Sequence, residues 1–158
     1  MMERWVEPEL AEMMREGALN PAVTNLLNRS FRVLDRRLTP EPVVEALAEH
    51  LASREVALVV VYLPSLNQVS DAYLPAQSRL SAPIEEATLT GERFQRQARD
   101  LARACAVAGV AFFDTTPGLA WRERNGERLY WPYDGHMRAA GYRAVAEDVL
   151  AWRLGRGS

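Results

Sequence analysis

One short stretch carries the residue types for acid–base chemistry: Tyr133-Asp134-Gly135-His136, followed by Met137-Arg138-Ala139-Ala140-Gly141. His136 is one of two histidines in the chain; the other is His50. A histidine works as a general base when its ring is oriented and its imidazolium stabilised, and a carboxylate bonded to one ring nitrogen does both. An Asp-x-His spacing places Asp134 and His136 on one side of an extended turn. The plainer alternative is that Asp134 closes a local turn and His136 is a surface residue. A nucleophile is harder to find. The serines are Ser30, Ser53, Ser65, Ser70, Ser78, Ser81 and Ser158, none in a recognisable nucleophile turn, and only Ser65 follows a strand pattern.

The elements that would hold such a site follow from periodicity. Residues 1–20 read as a short amphipathic helix ending near Gly17, frayed from the rest of the fold. Residues 21–54 read as helical: a stripe of Val23, Leu26, Leu27, Phe31, Leu34 and Leu38, then a second helix capped by Thr39 with Pro40 at its first position. Val56 to Leu63 is an apolar, β-branched run, the pattern of a central parallel strand covered on both faces, and Pro64 stops it. Residues 70–90 read as an irregular excursion. A helix with Phe94, Ala98, Leu101, Ala102 and Cys105 on one face then ends at Gly109. Val110 to Phe113 is the second strand. Residues 118–133 read as a connection with an Asn125-Gly126 turn, and a closing helix runs from about Ala139 to Leu154.

This order, helix–strand–helix–strand–helix, is that of an open α/β sheet with right-handed crossovers. In such sheets ligands gather outside the carboxyl ends of the strands. Three polar segments fall there: Ser65-Leu66-Asn67-Gln68, Asp114-Thr115-Thr116, and Asp134-Gly135-His136. Two strong strands are few for a doubly wound sheet, so residues 55–154 are expected to be the α/β part of an incomplete domain. Its open sheet edge would favour self-association.

Composition closes off other classes. A net charge of -2 gives no basic face for nucleic acid. All 19 basic residues are arginine, which excludes a Schiff-base lysine, a Walker lysine and a Ser-Lys dyad. Cys105 is the single cysteine, so there is no intrachain disulfide, and with two histidines a structural zinc site is not expected. The longest apolar run is far short of the about 20 residues of a membrane span, and the Met-Met-Glu-Arg opening lacks a signal peptide's apolar core. A soluble chain of undecided compartment, with no cofactor, is the expectation.

From Val56 to Leu150 the chain resembles the C-terminal part of SGNH (GDSL-type) hydrolases and their O-acetyltransferase relatives. The likeness rests on three segments: Leu63-Pro64-Ser65-Leu66-Asn67-Gln68-Val69 after a buried strand, a strand ending in Asp114-Thr115-Thr116-Pro117, and Leu129-Tyr130-Trp131-Pro132-Tyr133-Asp134-Gly135-His136 ahead of Ala139-Ala140-Gly141-Tyr142. The resemblance implies a flavodoxin-like, SGNH-type parallel sheet with flanking helices, and ester hydrolysis or acyl transfer on a small ester or O-acylated saccharide. It implies His136 as general base and Asp134 as its orienting acid, with Ser65, Asn67, Gln68 and Tyr130 on the substrate side. The family's Gly-Asp-Ser block does not occur in this sequence, so the nucleophile is expected from an N-terminal half outside the chain. A non-catalytic SGNH-derived binding module and an unrelated α/β binding domain are the alternatives.

Overall fold

The computed structural model describes residues 7–19, 39–79, 95–132 and 135–156. The expected helix over 21–38, Phe94 and Asp134 lie outside the described residues.

The β-branched run forms strand β1, Val59–Tyr62, and the second apolar run forms β2, Ala111–Asp114. They pair in parallel with Val59 opposite Ala111 and Tyr62 opposite Asp114. β1 is shorter than the apolar run because its partner is short: immediately before β2, Gly109 sits at φ +65° in the C-terminal turn of the preceding helix. The Val110 N–H there bonds back to the Cys105 carbonyl at 2.8 Å. Among the described residues no ladder partner stands opposite Val56 to Leu58. Helices flank the parallel pair, which is the α/β arrangement expected and is consistent with an incomplete domain of that class.

Helix α1 spans Pro8–Arg15 and α2 spans Glu41–Ala52. The α2 start differs from the expectation. Pro40, not Thr39, is the cap, because its carbonyl accepts from the Val44 N–H at 2.9 Å. The proline inside the first turn is Pro42, where a missing N–H costs nothing. Nor is α1 frayed. Leu10 is buried, and Arg79 pairs with Glu7 at 2.8 Å and Glu9 at 3.3 Å.

After β1 comes a single-turn helix α3, Leu66–Val69. The excursion expected from residue 70 begins with order: a 3₁₀ turn at Asp71–Tyr73 and helix α4, Leu74–Ser78. Helix α5 is Arg96–Val107. The stretch read as a connection starts with helix α6, Thr116–Arg124, whose first turn holds Pro117. The Asn125-Gly126 turn follows it, with Gly126 at φ +91°. Helix α7, Ala139–Arg156, closes the described chain.

Two apolar clusters hold these elements. Val44, Ala104 and Cys105 fix α2 and α5 against Val60 and Phe112 on one sheet face. Cys105 is fully buried, and burial pushes its thiol pKa up, as befits a packing residue. Leu66, Val69, Tyr73, Leu119, Leu129, Tyr130, Met137 and Ala144 form the second cluster, beneath the carboxyl ends of the strands. On the α7 side Phe113 stacks on Trp152 with ring centroids 5.1 Å apart.

The sheet is less covered than the continuous apolar pattern implied. Val59 is 45% exposed, and β1 has no partner on its second edge among the described residues. An open apolar groove of about 530 Å³ runs between β1 and α7, lined by Val61, Leu63, Val145, Val149 and Leu150. Among the described residues no helix is long and apolar enough to cross a membrane.

Candidate functional site

The three polar segments expected at the strand ends are tied together by hydrogen bonds and contacts. The Thr115 hydroxyl donates to the Tyr62 carbonyl at 2.7 Å, joining the end of β2 to the end of β1. The Tyr130 hydroxyl donates to the Pro64 carbonyl at 2.9 Å, joining the third segment to the first. Gly135 packs directly on α3: a Cβ there would meet Leu66 Cδ2 at 3.1 Å, and its φ of +74° suits glycine.

The first segment is built as a compact cap. The Ser65 N–H donates to Gln68 Oε1 at 2.8 Å, the reach-back half of a capping box. Gln68 Nε2 donates to the Tyr62 hydroxyl at 2.9 Å, and burial raises the Tyr62 pKa. The Ser65 hydroxyl lies at the N3 amide, as a capping box requires, but too loosely to make a full hydrogen bond, and it is buried. Asn67 is also buried, and its Oδ1 has no hydrogen-bond partner among the described residues. Asp114 turns inward on its own backbone: its Oδ1 accepts from the Thr116 N–H at 2.9 Å.

The third segment is a small antiparallel turn. Tyr130 and Met137 form a bridge; the Trp131 N–H donates to the His136 carbonyl at 2.9 Å and the Arg138 N–H to the Leu129 carbonyl at 2.7 Å. His136 itself is exposed on this turn. Beside it, the Arg138 guanidinium lies 4.7 Å from the centre of the half-exposed Trp131 ring. Gly141, on the first turn of α7, passes so close to this arm that a Cβ would stand 2.5 Å from the Leu129 carbonyl oxygen.

Below the turn is a polar node that the sequence did not announce. The Glu123 side chain is fully buried on α6. The Leu129 N–H donates to its Oε1 at 2.6 Å, and the Tyr73 hydroxyl donates to the same oxygen. Arg128 pairs with Oε2 at 3.2 Å. The Tyr73 oxygen accepts from the Tyr130 N–H at 3.2 Å. Burial, then the hydrogen bond to Glu123, pushes the Tyr73 hydroxyl up to about 12, and burial raises Tyr130 as well.

The structure therefore brings Ser65, Asn67, Gln68, Tyr130 and His136 to one end of the sheet, with His136 at the surface and the other four in or beneath the floor. His50 is elsewhere, on α2, with its ring against Arg54. Among the described residues no cluster of three or more His, Cys, Asp or Glu could hold a metal ion.

A parallel αβ unit with its polar turns gathered at the carboxyl ends of the strands is the geometry of open α/β domains. The chain matches the family described as the SGNH hydrolase-like domain of acetyltransferase AlgX over residues 36–154, and it belongs to that family. The match takes in α2 as well as the segments that carried the resemblance. No curated protein and no solved structure matches the chain.

Proposed function

We propose that the chain carries the base half of an SGNH-type site for ester hydrolysis or acyl transfer, acting on a small ester or O-acylated saccharide. His136 takes the proton from a serine hydroxyl as its oxygen attacks the acyl carbon, and returns that proton to the leaving alcohol. The acyl group then passes to water or to an acceptor hydroxyl, with His136 taking that hydroxyl's proton and returning it to the departing serine oxygen. Asp134 orients the imidazole. Ser65, Asn67, Gln68 and Tyr130 shape the floor on the substrate side.

The observation that carries this reading is the convergence of three strand-end segments, through Thr115–Tyr62, Tyr130–Pro64 and Gly135–Leu66, on a turn that leaves His136 exposed. The nucleophile belongs to a serine outside those whose side chains are described. The Ser65 hydroxyl oxygen is buried at its capping position, Ser53 donates to the His50 carbonyl at 2.8 Å, and the Ser70 hydroxyl accepts from the Ala72 N–H at 3.2 Å. Those same engagements favour a second reading, a domain of this family that binds its ligand without chemistry.

Fluorophosphonate labelling read by intact mass separates the two. The catalytic reading expects a single adduct, away from Ser65 and lost in His136→Ala. A folded protein that takes no adduct has its serine outside this chain or has lost it, and an adduct kept without His136 supports the binding module.

The edge of β1 that has no partner among the described residues fits a second copy of this chain, since an unpaired strand edge offers its backbone groups for pairing. Sedimentation velocity across a concentration series is expected to show dimers that Val61→Lys weakens; a monomer at all concentrations would exclude the pairing.

A further inference from the structure

We propose that Glu123, acting with Tyr73, is the positioning residue of the His136 turn, a role that rests on the reading of His136 as the base. A buried carboxyl is costly unless its oxygens are hydrogen-bonded, and a buried ion pair is a weak device for stability when an apolar side chain would fill the same space. Glu123 stands in the apolar cluster among Leu119, Leu129 and Tyr130, where leucine would be the simpler choice. What the carboxyl supplies there is direction.

Its Oε1 takes the Leu129 N–H, and through the Tyr73 hydroxyl the same node takes the next amide, that of Tyr130. Two consecutive amides of one arm are thus fixed from below. That arm then sets the other. The Leu129 carbonyl receives the Arg138 N–H, and the Trp131 N–H reaches the His136 carbonyl, so the backbone on both sides of the base is referenced to Glu123. The Tyr130 hydroxyl carries the same reference to Pro64, at the start of the Ser65 segment. Displacements of about 1 Å in a catalytic group cost on the order of 10²-fold in rate, so a rigid reference of this kind matters more to a base than to a binding surface.

The test is NMR on the full chain, comparing wild type with Glu123→Gln, Glu123→Leu and Tyr73→Phe. Two readouts are followed: amide hydrogen exchange at Trp131 and Arg138 relative to amides in α5, and the ring resonances of His136. Glu123→Leu and Tyr73→Phe are expected to speed exchange at Trp131 and Arg138 by about tenfold or more over the α5 reference, and to shift the His136 ring resonances. Glu123→Gln keeps an oxygen acceptor in place and is expected to restore both. Exchange that rises only in step with α5, or His136 ring resonances that superimpose on wild type in both variants, would overturn the proposal. Tyr73→Phe removes one oxygen atom and carries the test if Glu123→Leu does not fold. Neither readout uses ester turnover, so failure of the catalytic reading shows in His136→Ala and failure of the positioning role shows here.

Discussion

In a protein that also supplies the serine, alanine at position 136 is expected to lower ester turnover by about 10³-fold or more, with KM little changed. The size follows from the role. Without a base the serine hydroxyl must lose its proton to water, and removing one member of a catalytic unit forfeits most of what the unit supplies together. His136 is exposed and its ring is not part of the apolar cluster, so the substitution leaves the fold intact. Its backbone carbonyl, which accepts from the Trp131 N–H, is also retained. Asp134→Asn is expected to cost about 10²- to 10⁴-fold, since it disturbs only the orientation and tautomer of the base. Steady-state rates on an aryl acetate, with thermal melting as the folding control, decide the matter. Turnover within threefold of wild type in folded His136→Ala would remove His136 from the mechanism.

The largest stability effect is expected from Gly141→Ala. On helix propensity alone this change inside α7 should stabilise by about 1 kcal/mol. Packing wins over propensity here. The new Cβ would stand 2.5 Å from the Leu129 carbonyl oxygen and 3.2 Å from Met137 Cβ. The first of these is backbone, and it already accepts the Arg138 N–H, so it cannot retreat without opening the turn. A net loss of about 2–3 kcal/mol is expected, within the range for overpacking. Gly118→Ala makes a useful contrast. Its Cβ would press on the Asp148 carboxylate, the far end of a side chain that can swing aside at the cost of its 3.2 Å pairing with Arg122. Urea denaturation should therefore rank Gly141→Ala well below Gly118→Ala; the reverse order would show that the α7–Leu129 approach is not tight.

The parts of the fold that the sequence made legible are those whose packing imposes a period. The continuous β-branched run from Val56 to Leu63 marked a strand, of which Val59–Tyr62 forms the ladder, and Ala98 to Cys105 marked the buried face of a helix. Helix α6 was not legible, since among its nine residues only Thr116, Leu119 and Glu123 are buried, too few to mark an amphipathic stripe. The docking of α1 was hidden for a similar reason: it depends on Arg79 meeting two glutamates about 70 positions away. At the strand ends, residue type and spacing drew attention to His136 and the place after a strand drew attention to Ser65, and both lie at that end of the sheet. What holds them is less visible. A glutamate near a helix end is read as solvated by default, and only the surrounding tyrosine and amides show that Glu123 is an interior group.

The long hydrogen bonds that assemble the site also set the order in which it can form. α5 and α7 close through local contacts, whereas β1 meets β2 across 52 residues and Tyr130 meets Pro64 across 66. Contacts of such separation require loop-closure entropy to be lost first, and they form late. During synthesis the β1 strand must therefore wait for β2 and the Tyr130 arm to emerge, leaving its valines uncovered in the interval. Chaperone dependence and the yield of refolding, more than the final melting temperature, are where this chain should reveal how the carboxyl end of its sheet is put together.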